Sequence, residues 1–89
     1  MDLQDYRKEI DAIDEQLVAL FQKRMDVASG IAAYKQEHHL PVLDSSREQE
    51  KLNAVCAKVR PDLRSYAQQL YTTLFSLSRA YQDQQMKQK

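Results

Sequence analysis

Glycine and proline are nearly missing: Gly30, Pro41 and Pro61 are the whole supply in 89 residues. A β protein of this length needs many turns, and turns draw on Gly, Pro and Asn. The shortage leaves a few long helices, an all-α fold. Cysteine is single, Cys56, which excludes an internal disulfide framework and fits a reducing, cytoplasmic setting. Net charge is lacking too, since 13 Lys and Arg balance 13 Asp and Glu. A nucleic-acid binder needs a basic face and an anionic-membrane sensor a basic patch, so neither partner is expected. No apolar run approaches the ~18–20 residues of a membrane span. The first ten residues lack the basic-then-apolar layout of a signal peptide. There is no phosphate-binding glycine loop, no Cys/His metal spacing and no Gly-x-Ser-x-Gly elbow.

What remains is 43% hydrophobic and 29% charged, the composition of one globular domain over residues 1–89. The prolines divide it into three helical segments. The first runs from about Asp2 to about His38, with Asp2 as cap and Asp5 placed where the helix dipole favours negative charge. Leu3, Ile10, Leu17, Arg24 and Ile31 alternate with Tyr6, Ile13, Leu20, Val27 and Tyr34 in a heptad seam. Nine of these ten positions are apolar. Such a helix spans ~50 Å, whereas a compact domain of this size has a radius of gyration of only ~12 Å. It overhangs any fold that one chain can make, and the simplest cover for the seam is a second copy. Gly30 inside this helix costs ~1 kcal/mol against Ala, which suggests close approach of a neighbouring backbone, with local flexibility as the alternative.

The second segment follows Pro41-Val42-Leu43. Ser45 and Glu48 have capping-box spacing, with Asp44 as the alternative cap. Leu52, Val55, Cys56 and Val59 form its apolar face, and Cys56 reads as a small core residue. Arg60-Pro61 ends it, because the residue before Pro avoids the α region. The third segment begins near Asp62 and runs to about Met86, carrying Leu63, Tyr66, Ala67, Leu70, Tyr71, Leu74, Phe75 and Tyr81 at helical period. The tail Lys87-Gln88-Lys89 is expected to fray.

Polar residues interrupt these faces. Arg24 is a charge on a core seam, which costs several kcal/mol if unpaired, at about the scale of other buried charges. It is either a register-setting residue salt-bridged across a dimer or part of an anion site. Lys35 follows 11 residues later, about three turns on, so it projects from nearly the same face ~16 Å away. Both side chains are long enough to bracket a small dianion. Arg7 lies ~25 Å from Arg24 along the same helix and reaches such a pocket only from an antiparallel partner; by itself it reads as a solvated charge. Asp44, Arg47 and Glu48 share a helix face, as caps with a surface ion pair or as a clamp at a helix N-terminus. Ser78 and Gln82 turn the third stripe polar, either because the bundle ends there or because they close a cavity. His38 and His39 are adjacent, point apart and make a poor metal pair.

Together these residues resemble the all-helical class (type II) of chorismate mutase. The likeness lies in Tyr6-Arg7-Lys8-Glu9-Ile10-Asp11-Ala12-Ile13-Asp14-Glu15-Gln16-Leu17, Gln22-Lys23-Arg24-Met25, Tyr34-Lys35, the run from Pro41 to Glu48, and Ser78-Arg79-Ala80-Tyr81-Gln82. It covers about Leu3 to Gln85. The resemblance implies an intertwined homodimer, three helices per chain with a very long first helix, that converts chorismate to prephenate in phenylalanine and tyrosine biosynthesis. It implies Arg7 donated across the interface, with Arg24, Lys35, Asp44, Arg47, Glu48, Ser78 and Gln82 acting within the chain. No cofactor and no metal are implied.

The chemistry suits this set. Chorismate carries two carboxylates, which Arg7, Arg24 and Arg47 can meet with bidentate contacts. By the resemblance, Lys35 and Gln82 donate to the ether oxygen as the C–O bond breaks, a contribution of roughly 3–4 kcal/mol at comparable sites. Glu48 accepts from the ring hydroxyl with Asp44 nearby, Ser78 helps to hold a carboxylate, and Ile31 and Phe75 are apolar wall. A glutamine at position 82 donates at any working pH, whereas a glutamate would first need a proton. The alternatives are isochorismate-pyruvate lyase and aminodeoxychorismate mutase on the same fold, or a non-catalytic dimeric helical module. The Asp44…Arg47-Glu48 segment follows the mutase pattern.

Overall fold

The computed structural model describes residues 1–87, and Gln88 and Lys89 of the expected frayed tail lie outside them. Three helices account for most of these residues: α1 over Leu3–Glu37, α2 over Ser45–Lys58 and α3 over Arg64–Lys87. No strand occurs among the described residues, and no helix there is long and apolar enough to cross a membrane. Lys87, assigned above to the fraying tail, is the last residue of α3.

Local chemistry sets each boundary. Asp2 caps α1 in a reciprocal box: the Asp5 N–H donates to Asp2 Oδ1 at 3.0 Å and the Asp2 N–H to Asp5 Oδ2 at 3.1 Å. At the other end His39 takes a left-handed φ of 56°. Its N–H donates to Gln36 O, and the Leu40 N–H donates to Lys35 O at 2.8 Å. This is a Schellman ending built without glycine. At α2 the cap is Asp44, not Ser45: Asp44 Oδ1 accepts from the Arg47 N–H at 3.1 Å. The expected Ser45–Glu48 box does not form: Ser45 is the first helical residue, Arg47 rather than Glu48 stands at N3 of the Asp44 cap, and the Glu48 carboxylate meets Arg79. Extended backbone at Val59 and Arg60 and a short 3-10 turn over Pro61–Leu63 join α2 to α3. Arg64 Nε donates to Cys56 O at 3.1 Å, satisfying a carbonyl near the C-terminus of α2.

Helix α3 packs on both α1 and α2, and these two do not pack on each other. Ser29 Oγ donates to Gln85 Oε1 at 3.2 Å and Gln36 Nε2 to Met86 O at 3.4 Å, pinning the end of α3 to α1. The result is elongated, 54 × 27 × 14 Å, with a radius of gyration of 16.2 Å against ~12 Å for a compact chain of this length.

A core is almost absent. Among the described residues the buried side chains are Ala28, Ala32 and Gln82. All nine apolar seam residues of α1 are exposed, from 43% at Ile31 to 62% at Leu20. The chain presents 7145 Å² to solvent, where a compact monomer of its mass presents roughly 5,400 Å². Cys56, expected in the core, is only half-buried because one side of α2 has no neighbour. The backbone approach expected at Gly30 does not occur within the chain: nothing lies within 4 Å of where its Cβ would be.

Candidate active site

A cleft of about 340 Å³ opens between α1 and α2 over the floor formed by α3. Helix α1 contributes Arg24, Val27, Ala28, Ile31 and Lys35, the face repeating at i, i+4, i+7 and i+11. The α1–α2 loop contributes Val42 and Asp44, and the first turns of α2 contribute Arg47, Glu48 and Lys51. Helix α3 adds Phe75, Ser78, Arg79 and Gln82, again one helical face. Seven of the eight residues singled out by sequence meet here: Arg24, Lys35, Asp44, Arg47, Glu48, Ser78 and Gln82. Arg7 does not line the cleft of its own chain. The expected apolar wall, Ile31 and Phe75, is in place.

The side chains are held by specific partners. Lys35 Nζ donates to Val42 O at 2.7 Å, which leaves two of its three donors for the cleft. Arg47 reaches Glu50 at 3.3 Å through an exposed contact that contributes little. Arg24 is half-buried and has no ion-pair partner within the chain among the described residues. Its position on the seam therefore calls for an anion from outside the chain. Gln82 is 6% exposed and donates from Nε2 to Ser78 Oγ at 3.0 Å, while its Oε1 is buried with no partner among the described residues. Rotating the amide lets the Ser78 hydroxyl donate to Oε1 and frees both Nε2 donors. In either orientation a buried amide atom stays unsatisfied, at a cost of about 1–3 kcal/mol, until a guest supplies its complement. The polar turn of the α3 stripe thus closes a cavity.

Five cations and two carboxylates line this cleft, in a chain whose formal charge is zero. The charge is segregated so that the cleft attracts a polyanion. The lining has no imidazole and no thiol, and its one hydroxyl, Ser78, is engaged by Gln82. Such a site grips and polarises an anionic guest.

A family model described as chorismate mutase type II matches residues 6–83. The chain belongs to that family. All seven convergent residues fall inside the matched span. Among curated proteins, the T-protein of Haemophilus influenzae is 40% identical over 52 residues, 58% of this chain. The chain covers 14% of that relative's length. No solved structure gives a significant match.

Two residues of this cleft escaped the sequence reading. Arg79 pairs with Glu48, its Nη1 donating to both carboxylate oxygens. The signal was its place three residues before Gln82, on the same face. Lys51 lines the cleft from α2, and its spacing of three from Glu48 and four from Arg47 could have marked it.

Proposed function

We propose that residues 1–89 act as a single domain, as half of an intertwined cytoplasmic homodimer that rearranges chorismate to prephenate. The observation that carries this reading is the convergence of Arg24, Lys35, Arg47, Glu48, Ser78 and Gln82 on one cation-rich cleft. Support for the second subunit comes from the nine exposed seam residues and from the surface excess of roughly 1,700 Å² over a compact monomer. That excess is of the size an obligate dimer covers per subunit. An antiparallel partner across α1 brings its own Arg7 to the open side of the cleft.

The rearrangement is unimolecular, so the site has two tasks. One is to hold the flexible enolpyruvyl arm over the ring in the reactive conformer. Arg24 and Arg47, with Arg7 across the interface, clamp the two carboxylates, and Ser78 adds a hydrogen bond. Ile31 and Phe75 press on the ring. The other task is to meet the negative charge that grows on the ether oxygen as the C–O bond breaks. Lys35 and the Nε2 proton of Gln82 that is not engaged by Ser78 do so, already oriented before reaction. Glu48 accepts from the ring hydroxyl.

Assaying purified protein on chorismate, following its loss and the appearance of prephenate, and in parallel on isochorismate tests this reading, with sedimentation run on the same sample. Prephenate formed by a dimer is expected. Pyruvate released from isochorismate as the main activity overturns the mutase assignment. A folded monomer that still turns over chorismate overturns the intertwined site.

A further inference from the structure

Glu48 is out of place in a pocket for a dianion. Its side chain is 25% exposed, so most of its charge faces the cleft and its neighbours instead of water. A carboxylate there repels the carboxylates of the guest. Arg79, itself 32% exposed, answers this directly: Nη1 donates to both Oε1 and Oε2 of Glu48. The pair carries no net charge, yet lone pairs remain on the carboxylate to accept a further hydrogen bond.

Chorismate offers a single O–H donor at neutral pH, the ring hydroxyl. Asp44, the other carboxylate of the lining, is exposed and holds the α2 N-terminus through the Arg47 N–H. Glu48 is therefore the acceptor available to that hydroxyl. An analogue with an amine in the same place arrives as an ammonium near neutral pH. An unpaired carboxylate would favour that ammonium over a neutral hydroxyl by charge attraction. A guanidinium clamped on the carboxylate removes the attraction and adds like-charge repulsion, while leaving the neutral hydroxyl undisturbed.

We infer that Arg79 is a specificity-determining positioning residue. Paired with Glu48, it sets the cleft to accept a ring hydroxyl and to reject a ring ammonium, so chorismate is selected over 4-amino-4-deoxychorismate. This deepens the proposed mutase function and rests on it. Arg79 acts through Glu48 and takes no part in bond making or breaking.

The test is the ratio of kcat/KM for chorismate to that for the amino analogue, measured on one preparation so that any misfolded fraction cancels. The ratio is expected to be well above one in the unsubstituted protein. It should fall about tenfold or more in Arg79→Gln, and Arg79→Lys, which keeps the charge, should recover most of it. In a Glu48→Gln background the fall caused by Arg79→Gln should be clearly smaller, because only the direct repulsion of the ammonium by the guanidinium is then lost. If Arg79→Gln turns over neither compound, the same ratio is read from their Kd values by calorimetry. A ratio that is unchanged in Arg79→Gln, with mutase activity present, overturns the role of Arg79 alone. It would mean that Arg79 serves stability or holds a carboxylate common to both compounds. An unsubstituted protein that forms no prephenate overturns the mutase function and this inference together.

Discussion

Lys35 donates from Nζ to the backbone carbonyl of Val42 at 2.7 Å, tying the last turn of α1 to the loop that delivers Asp44 and Arg47. One ammonium thus has two duties. It closes the α1–α2 corner of the cleft, and it keeps two donors free there for a guest. The Schellman ending at His38–Leu40 places this corner, because it stops α1 two residues after Lys35 and leads the chain into the loop before α2.

Lys35→Ala should therefore lower kcat/KM for chorismate by ~10²–10³-fold, the cost of a lost preorganised donor. The far-UV circular dichroism should be unchanged, and limited proteolysis should cut more readily between residues 38 and 44. Turnover at the unsubstituted rate would reject the assigned role.

Gln82→Glu should make the reaction acid-dependent. A carboxyl at this buried position donates only while protonated, and its ionised form repels the dianionic guest. Burial favours the neutral form and pushes such a group above the ordinary carboxylate range, so activity should rise as pH falls. The unsubstituted protein, with an amide there, should show no such rise. Overlaying kcat/KM profiles for the two proteins would contradict the placement of Gln82 against the ether oxygen.

Complementation checks the contribution of Arg7. Alone, Arg7→Ala and Arg24→Ala should each lose most turnover while remaining dimeric by sedimentation. If Arg7 serves the partner's cleft, a refolded equimolar mixture contains heterodimers with one intact site each. Activity should then return to about a quarter of the unsubstituted level, the statistical share of intact sites in a two-fold dimer. A mixture as inactive as its components would place Arg7 and Arg24 in the same subunit's site. A helical module without catalysis predicts instead that Arg24→Ala is neutral or stabilising.

His39→Gly should stabilise the protein. A side chain at φ 56° is strained in a way that glycine is not. The gain should be ~0.5–1 kcal/mol, read as a higher denaturant midpoint with an unchanged slope. A midpoint that falls would mean that the His39 side chain makes a contact in the assembled protein worth more than the strain.

Much of this molecule is legible in its sequence. Scarce Gly and Pro dictate helices, the two prolines mark their limits, and periodicity puts Arg24 and Lys35 on one face, because these are local properties of the backbone. The cap of α2 is less so: Asp44 and Ser45 both fit it, and in the structure Asp44 caps while Glu48 meets Arg79. That pairing could not be seen along the chain. Glu48 and Arg79 are 31 residues apart, and only the packing of α3 against α2 brings them together. Tertiary structure likewise decided that Gln82 is buried with one amide atom unsatisfied, and that Gly30 faces open space within its own chain. Residue types and spacing determine which groups one helix face can offer. Which faces meet, and so which charges are spent on each other and which are left for a guest, depends on contacts between segments distant in sequence.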